Sequence, residues 1–273
     1  MKVHFWGVRG SIAVSGDRFA RTGGNTTCVE LEHDGHRLIL DGGTGLRGLG
    51  EHLGYRPIAA TLLFTHLHWD HIQGVPFFTP AFHPDSDLTF VGVGRDSGGV
   101  RDALAVQMRP PQFPIGLDAL VGARRFVDLA GARPFDVGPF VVTPCEQDHP
   151  DGVVAYRIEA GGRVVVFATD IEHGGERIDP ALVELARGAD LLIHDAQYTE
   201  REYRGEGGPP RRGWGHSTWS EAVEVARRAG AERLALFHHD PTRDDAAVAA
   251  IEARAQRLLA PTMAAREGLE VAL

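Results

Sequence analysis

Residues 65–74 read THLHWDHIQG and follow directly on the apolar run ATLLF (60–64). A short continuous apolar run bounded by polar residues predicts a strand buried on both faces. The end of that strand carries three histidines and one aspartate between His66 and His71. Packing gives no reason to gather so many titratable groups there. On a strand, residues i and i+2 point the same way, so His66 and His68 can aim side by side. Asp70 and His71 follow where the chain must turn, and they can approach from another side. Imidazole and carboxylate together suit a pair of divalent metals, with His66 and His68 on one and Asp70 and His71 on the other. Zinc is the expected metal, and manganese and iron accept the same donors.

One loop cannot complete two coordination shells. Three further donors stand at the ends of predicted strands: His149 after FVVTPCEQ (140–147), Asp170 at the end of VVVFATD (164–170), and His238 after RLALF (233–237). Asp170 can bridge both ions. His66, His68 and His149 then complete one position, and Asp70, His71 and His238 the other. Open positions are left for a water or hydroxide and a substrate. His238 competes with its neighbour His239; alternation sends the two side chains to opposite faces, and His238 is the expected ligand. Asp41, ahead of Gly42-Gly43, is a candidate to orient a ligand histidine.

Around these motifs the chain alternates strands and helices. KVHFWGV (2–8) reads as a strand, and CVELEHDGHRLILDGG (28–43) as a hairpin turning at Asp34-Gly35. LTFVGV (88–93), residues 153–170 as two strands turning at 160–162, LLIHD (191–195) and a final LEVAL complete the strands. Helices are expected over 98–108, 179–187, 217–229 and 242–259. Two groups of strands with helices between them predict two packed sheets with helices outside, in a single domain spanning 1–273.

A composition of 43% hydrophobic and 24% charged residues is that of an ordinary globular protein. No apolar run approaches the roughly 18 residues of a membrane span. The start, MKVHFWGVRG, lacks a secretory apolar segment, and the only cysteines are Cys28 and Cys145, which fits the cytoplasm. The formal net charge of −9 argues against an extended nucleic-acid footprint and leaves room for a small anionic substrate held by metal.

THLHWDH, His149, Asp170 and His238 resemble the successive ligand motifs of the metallo-β-lactamase superfamily over nearly the whole chain. That resemblance implies an α/β fold, a four-layer αββα sandwich with the metals at one edge of two central sheets. GGNTTCVEL (23–31), DGGTG (41–45), LLIHDAQYT (191–199), GWGHST (213–218) and LFHHDP (236–241) are similar to segments of its ribonuclease Z-like and cyclic-nucleotide phosphodiesterase branch. LLIHDAQ resembles the His-Glu-Ala-Thr segment of ribonuclease Z with Asp195 in place of Glu, and GWGHST resembles its histidine loop. The match implies that Asp195 and His216 act as a proton-donating pair.

The expectation is therefore a dinuclear metal-dependent phosphodiesterase. Asp70 binds metal and handles the proton of the nucleophile, His216 held by Asp195 protonates the leaving alkoxide, and Asn25 and Trp214 are candidate substrate contacts. The expected partner is a small phosphodiester such as a cyclic nucleotide, with no membrane and, by analogy alone, a homodimer. Three alternatives stand beside it. Thioester, lactone or lactam hydrolysis uses the same scaffold without needing an acid for an alkoxide. Ribonuclease Z-like RNA processing is disfavoured because EGGPPRRGWG (206–215) is short for that family's basic arm and holds only Arg211 and Arg212. A non-catalytic metal- or nucleotide-sensing module would be expected to have lost ligands, and none is missing. His68, where flavodiiron proteins carry Glu, disfavours redox chemistry, and the cysteine-rich zinc site of phosphonate-pathway relatives has no counterpart.

Overall fold

The computed structural model describes residues 1–94, 98–173 and 178–273. In chain order the first strands are β1 (Lys2–Gly7), β2 (Cys28–His33), β3 (His36–Leu40), β4 (Ala59–Leu63), β5 (Asp87–Gly92) and β6 (Ala123–Asp128). Then come β7 (Phe135–Val137), β8 (Phe140–Gln147), β9 (Val153–Ala160), β10 (Arg163–Ala168), β11 (Leu191–Asp195), β12 (Leu234–Phe237), β13 (Thr262–Ala264) and β14 (Glu270–Ala272). The first sheet runs β14-β1-β2-β3-β4-β5-β6 and the second β13-β12-β11-β10-β9-β8-β7. Strands β3 to β6 pair in parallel, as do β10 to β13, while the remaining pairs are antiparallel.

Alternation sorts each strand between two cores. In β3, Leu38 and Leu40 face the space between the sheets, while Ile39 faces the outside of the first sheet. In β10, Val165 and Phe167 point inward, and Val166 and Ala168 point to the outer face of the second sheet. Helices cover both outer faces. α1 (Gly45–Leu53), the single-turn α2 (Trp69–Ile72) and α3 (Val100–Gln107) lie on the first sheet, burying Leu46, Leu49 and Leu104. α4 (Pro180–Leu185), the short α5 (Glu200–Tyr203), α6 (Trp219–Ala229) and α7 (Asp245–Gln256) follow in the second half. Of these, α4, α6 and α7 bury Leu182, Ala222, Val225, Ala226 and Ile251. The result is the four-layer αββα sandwich.

α6 shows why such a segment starts and stops where it does. Thr218 and Glu221 close a reciprocal capping box, and Gly230 ends the helix in the left-handed conformation at φ 64°. Near the future site the two sheets are tied directly: Tyr156 donates its hydroxyl to the carbonyl of Phe64 at 2.6 Å, and Val154 N–H donates to Thr65 at 3.0 Å.

Several elements go beyond the sequence expectation, the short helices α2 and α5 among them. β6 is a polar edge strand, ARRFVD, without clean alternation, and β7 and β13 are three residues each. α1 carries three glycines, which lower helix propensity. Close approach explains one of them: a Cβ on Gly45 would lie 2.6 Å from the backbone nitrogen of Gly7 in β1. The last strand joins β1 through Val3–Val271, so the chain ends meet in one sheet. No helix among the described residues is long and apolar enough to cross a membrane.

Candidate metal centre

The segments that follow β3, β4, β8, β10, β11 and β12 meet at one edge of the sandwich. They bring together Asp41, His66 to His71, His149, Asp170, Asp195 and His238, with His216 arriving from the loop before α6. Asp41, Asp170 and His238 all have positive φ (58°, 55° and 58°), a conformation uncommon outside glycine. Each strand therefore turns sharply where its side chain is needed.

Two of the donor clusters that result follow the expected division. His66, His68 and His149 form one, and Asp70, His71, Asp170 and His238 the other, with the ligand atoms of each within 4.8 Å of one another. Asp170 lies between them. Its Oδ2 is 3.9 Å from Nε2 of both His66 and His149, and its Oδ1 is 3.2 Å from Nε2 of both His71 and His238. Asp70 Oδ2 is 3.4 Å from His71 Nε2 and 3.3 Å from His238 Nε2.

The surroundings orient these donors. His71 Nδ1 meets Asp41 Oδ2 at 2.8 Å, and Asp41 Oδ1 accepts the Thr65 N–H. His149 Nδ1 donates to the Gly215 carbonyl at 2.8 Å, and His238 Nδ1 to Gln197 Oε1 at 2.7 Å. Ser11 N–H donates to Asp70 Oδ2 at 2.7 Å. Each outer contact leaves Nε2 of its histidine directed inward, as metal ligation requires.

The residues fit a metal pair. His66 Nε2 and His71 Nε2 are buried and make no hydrogen bond, a cost that a bound cation removes. Burial and the neighbouring histidines hold His66 well below its ordinary pKa, so it is a neutral donor. Burial also opposes a proton on His71, but Asp170, Asp70 and Asp41 outweigh it and push that pKa well above the ordinary value. Three carboxylates around one imidazole thus demand positive charge, which divalent ions supply.

His216 closes a third grouping with Asp170, Asp195 and His238, whose ligand atoms also lie within 4.8 Å of one another, and its Nδ1 is 3.8 Å from Asp170 Oδ2. That Nδ1 meets Asp195 Oδ2 at 2.9 Å and is satisfied without an ion. Burial disfavours its proton, but the charge and hydrogen bond of Asp195 prevail and push its pKa up to about 9. Asp195 is itself braced: Oδ2 also accepts Asp170 N–H, and Oδ1 accepts the N–H groups of Gln197 and Ser217.

The other candidates fall elsewhere. His239 donates to the Ala265 carbonyl at 3.0 Å, which leaves His238 alone in the cluster. The Asn25 amide donates to Glu267 at 3.0 Å, and Asn25 lines a cavity of about 530 Å³ with Trp69, Phe77 and Phe113. Trp214 is half-exposed beneath the guanidinium of Arg211, 4.3 Å from the ring centroid. Trp219 and Phe78, aromatic residues that could have lined the mouth, are instead buried in the two outer cores. Sequence reading missed Ser11 and Gln197, whose contacts to Asp70 and His238 carry no spacing signal.

A family model described as the beta-lactamase superfamily domain matches residues 20–239. The chain belongs to the metallo-β-lactamase superfamily. It is 24% identical to ribonuclease Z of Haloarcula marismortui over 87% of this chain and 86% of that one. It is 30% identical to ribonuclease Z of Limosilactobacillus fermentum over 68% and 72%. The metallo-β-lactamase fold protein YhfI from Bacillus subtilis superposes with a TM-score of 0.73 at 18% identity, over 99% of both chains. This metallo-β-lactamase protein is a metal-dependent hydrolase of the ribonuclease Z-like branch.

The relatives correct one expectation. A small phosphodiester partner with no extended nucleic-acid footprint does not stand against relatives named ribonuclease Z, whose name makes RNA their substrate. The physical fault lies in the use of net charge. A total of −9 averages over the surface and counts Asp70 and Asp170, whose charges face the metal positions. It does not report the potential at the site mouth.

Proposed function

We propose that this metallo-β-lactamase hydrolase cleaves phosphodiester bonds in RNA. The observation that carries the reading is the His216–Asp195 pair set beside the two donor clusters. An alkoxide leaving group needs a proton, whereas opening a strained lactam or expelling a thiolate does not need one in the same place.

His66, His68 and His149 would hold one divalent ion and Asp70, His71 and His238 the other, with Asp170 shared; zinc suits this donor set. Such a pair, when bound, lowers the pKa of a water and neutralises charge on a phosphodiester. The chain's own groups do the rest. Asp70, oriented by Ser11, belongs to the second cluster and can accept a hydrogen bond from the attacking water. Asp195 keeps His216 in the orientation with Nδ1 inward, so Nε2 is the nitrogen that delivers the proton to the departing ribose oxygen. Trp69, 65% exposed between the ligands His68 and Asp70, offers a face on which a base can stack. The free thiols Cys28 and Cys145 fit a reducing cytoplasm.

The test incubates metal-loaded protein with a 3′-extended precursor RNA, bis(p-nitrophenyl) phosphate, an acyl thioester and nitrocefin. The reading expects RNA cleavage that is lost in His216→Ala. Turnover of the carbonyl substrates alone would remove it.

A further inference from the structure

We propose that Glu172 is a positioning residue that sets the histidine loop 213–216 and, through it, the proton donor His216. This rests on the reading that His216 delivers a proton to the leaving group.

Glu172 is buried two residues beyond Asp170, and its carboxylate receives three donors. Tyr203 donates its hydroxyl to Oε1 at 2.5 Å, Gly213 N–H donates to Oε1 at 2.8 Å, and Gly215 N–H donates to Oε2 at 2.7 Å. Two of the three come from the loop. Gly213 and Gly215 both have positive φ, at 80° and 82°, which turns their N–H groups toward the same anion. No side chain fits at Gly215, since a Cβ there would lie 2.0 Å from His149 Nδ1.

The Gly215 carbonyl also accepts from His149 Nδ1, so the activities are compared only at full metal occupancy, which holds His149 by ligation. On the other side of His216, Ser217 donates its hydroxyl to the Ile171 carbonyl and its N–H to Asp195. The backbone of His216 is therefore held on both sides, by Glu172 through Gly215 and by Ile171 and Asp195 through Ser217. The strand end that supplies Asp170 thus also fixes the distance from the metal positions to the acid.

Only a carboxylate of this length satisfies all three donors. A glutamine in either flip turns its NH2 toward at least one glycine N–H, and an aspartate falls one methylene short. A misplacement of about 1 Å near reacting groups costs about 10²-fold in rate.

The experiment uses the full chain and Glu172→Gln, with metal at full occupancy by elemental analysis in the activity arm. Amide hydrogen exchange is read at Gly213 and Gly215 on the metal-free protein. Wild type should protect both, and the variant should exchange there about 100-fold faster while β11 and α6 keep their protection. In the activity arm, kcat on RNA should fall about 100-fold, while bis(p-nitrophenyl) phosphate, whose leaving group departs without a proton, should change less than about threefold. Unchanged loop exchange, or equal loss on both substrates, overturns the proposal. Should Glu172→Gln not fold, Glu172→Asp keeps the charge and is judged by the same two readouts. If wild type cleaves no RNA, the proposed function fails, and the exchange arm still decides whether Glu172 sets the loop.

Discussion

Replacing Asp195 by asparagine isolates the proton donor. The ordinary histidine pKa is 6.5, and His216 is pushed up to about 9 by the Asp195 carboxylate against the effect of burial. Removing the charge should bring His216 down toward 6.5 once metal is bound, because burial is then opposed only by Asp170 and Asp70, whose charges bound cations neutralise. The gap of about 2.5 pH units corresponds to about 3.4 kcal/mol between the protonated and neutral ring. At pH 8 the protonated fraction falls from about nine-tenths to about one-thirtieth, so an acid-dependent rate should drop about 30-fold. Divalent ions beside the ring move both values down together, so the separation between the two profiles carries the prediction. The assay is kcat against pH on an RNA substrate, with bis(p-nitrophenyl) phosphate as the acid-independent control. The basic limb should move down by about 2 pH units or more, and activity should recover in part near pH 6. Asparagine also turns an NH2 toward two of the four donors that Asp195 accepts, so the melting temperature of the variant must be measured in parallel. A basic limb that stays in place in a folded variant, or an equal loss on the activated substrate, would refute the role of His216.

Wild type should hold two divalent ions per chain, and Asp170→Asn should lose affinity at both positions because its two oxygens face different clusters; one ion at saturation in wild type contradicts a dinuclear site. Asp41→Asn should weaken metal binding about 10- to 100-fold by releasing His71 Nδ1, read by chelator competition, and an unchanged affinity removes that role. Trp69→Ala should raise KM on RNA by roughly 5- to 100-fold while shifting stability by no more than about 0.5 kcal/mol; an unchanged KM excludes stacking there. His173, buried against His194, has its pKa pushed down to about 3, so the folded chain keeps it neutral while the unfolded chain takes up a proton below 6.5. Its contribution is full above pH 6.5 and is lost as pH falls toward 3, by up to about 1.4 kcal/mol per pH unit. Urea unfolding of the metal-free protein from pH 7.5 to 4.5 should therefore show a shallower loss in His173→Gln than in wild type, and equal slopes contradict it.

Legibility followed the density of the local signal. HxHxDH after a doubly buried strand was readable because no packing demand produces it, and the two-sheet architecture was readable because apolar runs bounded by turns recur along the chain. The edge strand β6 was not, since its outward arginines leave no alternation to detect. α1 was not, because its three glycines, of which Gly45 is needed for close approach to β1, contradict helix propensity. Inside the site, the residues of the donor clusters sit in runs or at strand ends, whereas Glu172, Gln197 and Ser11 act through one or two hydrogen bonds to distant loops. Such contacts have sequence separations set by the fold, so no spacing rule can reveal them. The nucleic-acid expectation failed for a different reason: a sum of charges contains no positions.

The strained strand ends connect these two levels. A non-glycine residue in the left-handed conformation costs about 1–2 kcal/mol, and Asp41, Asp170 and His238 all adopt it at one edge of the sandwich. Aspartate tolerates that conformation through local hydrogen bonding, but histidine gains less from it. A surface turn would relieve the cost with glycine. Here glycine would delete the donor that faces the clusters, so the strain persists only because each side chain is held from outside, Asp41 by Thr65, Asp170 by Thr169, and His238 by Gln197. If those contacts exist to aim donors rather than to stabilise the chain, removing the side chain should free strain as well as function. His238→Gly should then abolish metal binding at the second position while leaving the thermal stability of the metal-free protein close to, or above, that of wild type. A strongly destabilised metal-free variant would show instead that His238 is held for packing, and the site would lose the donor that closes it.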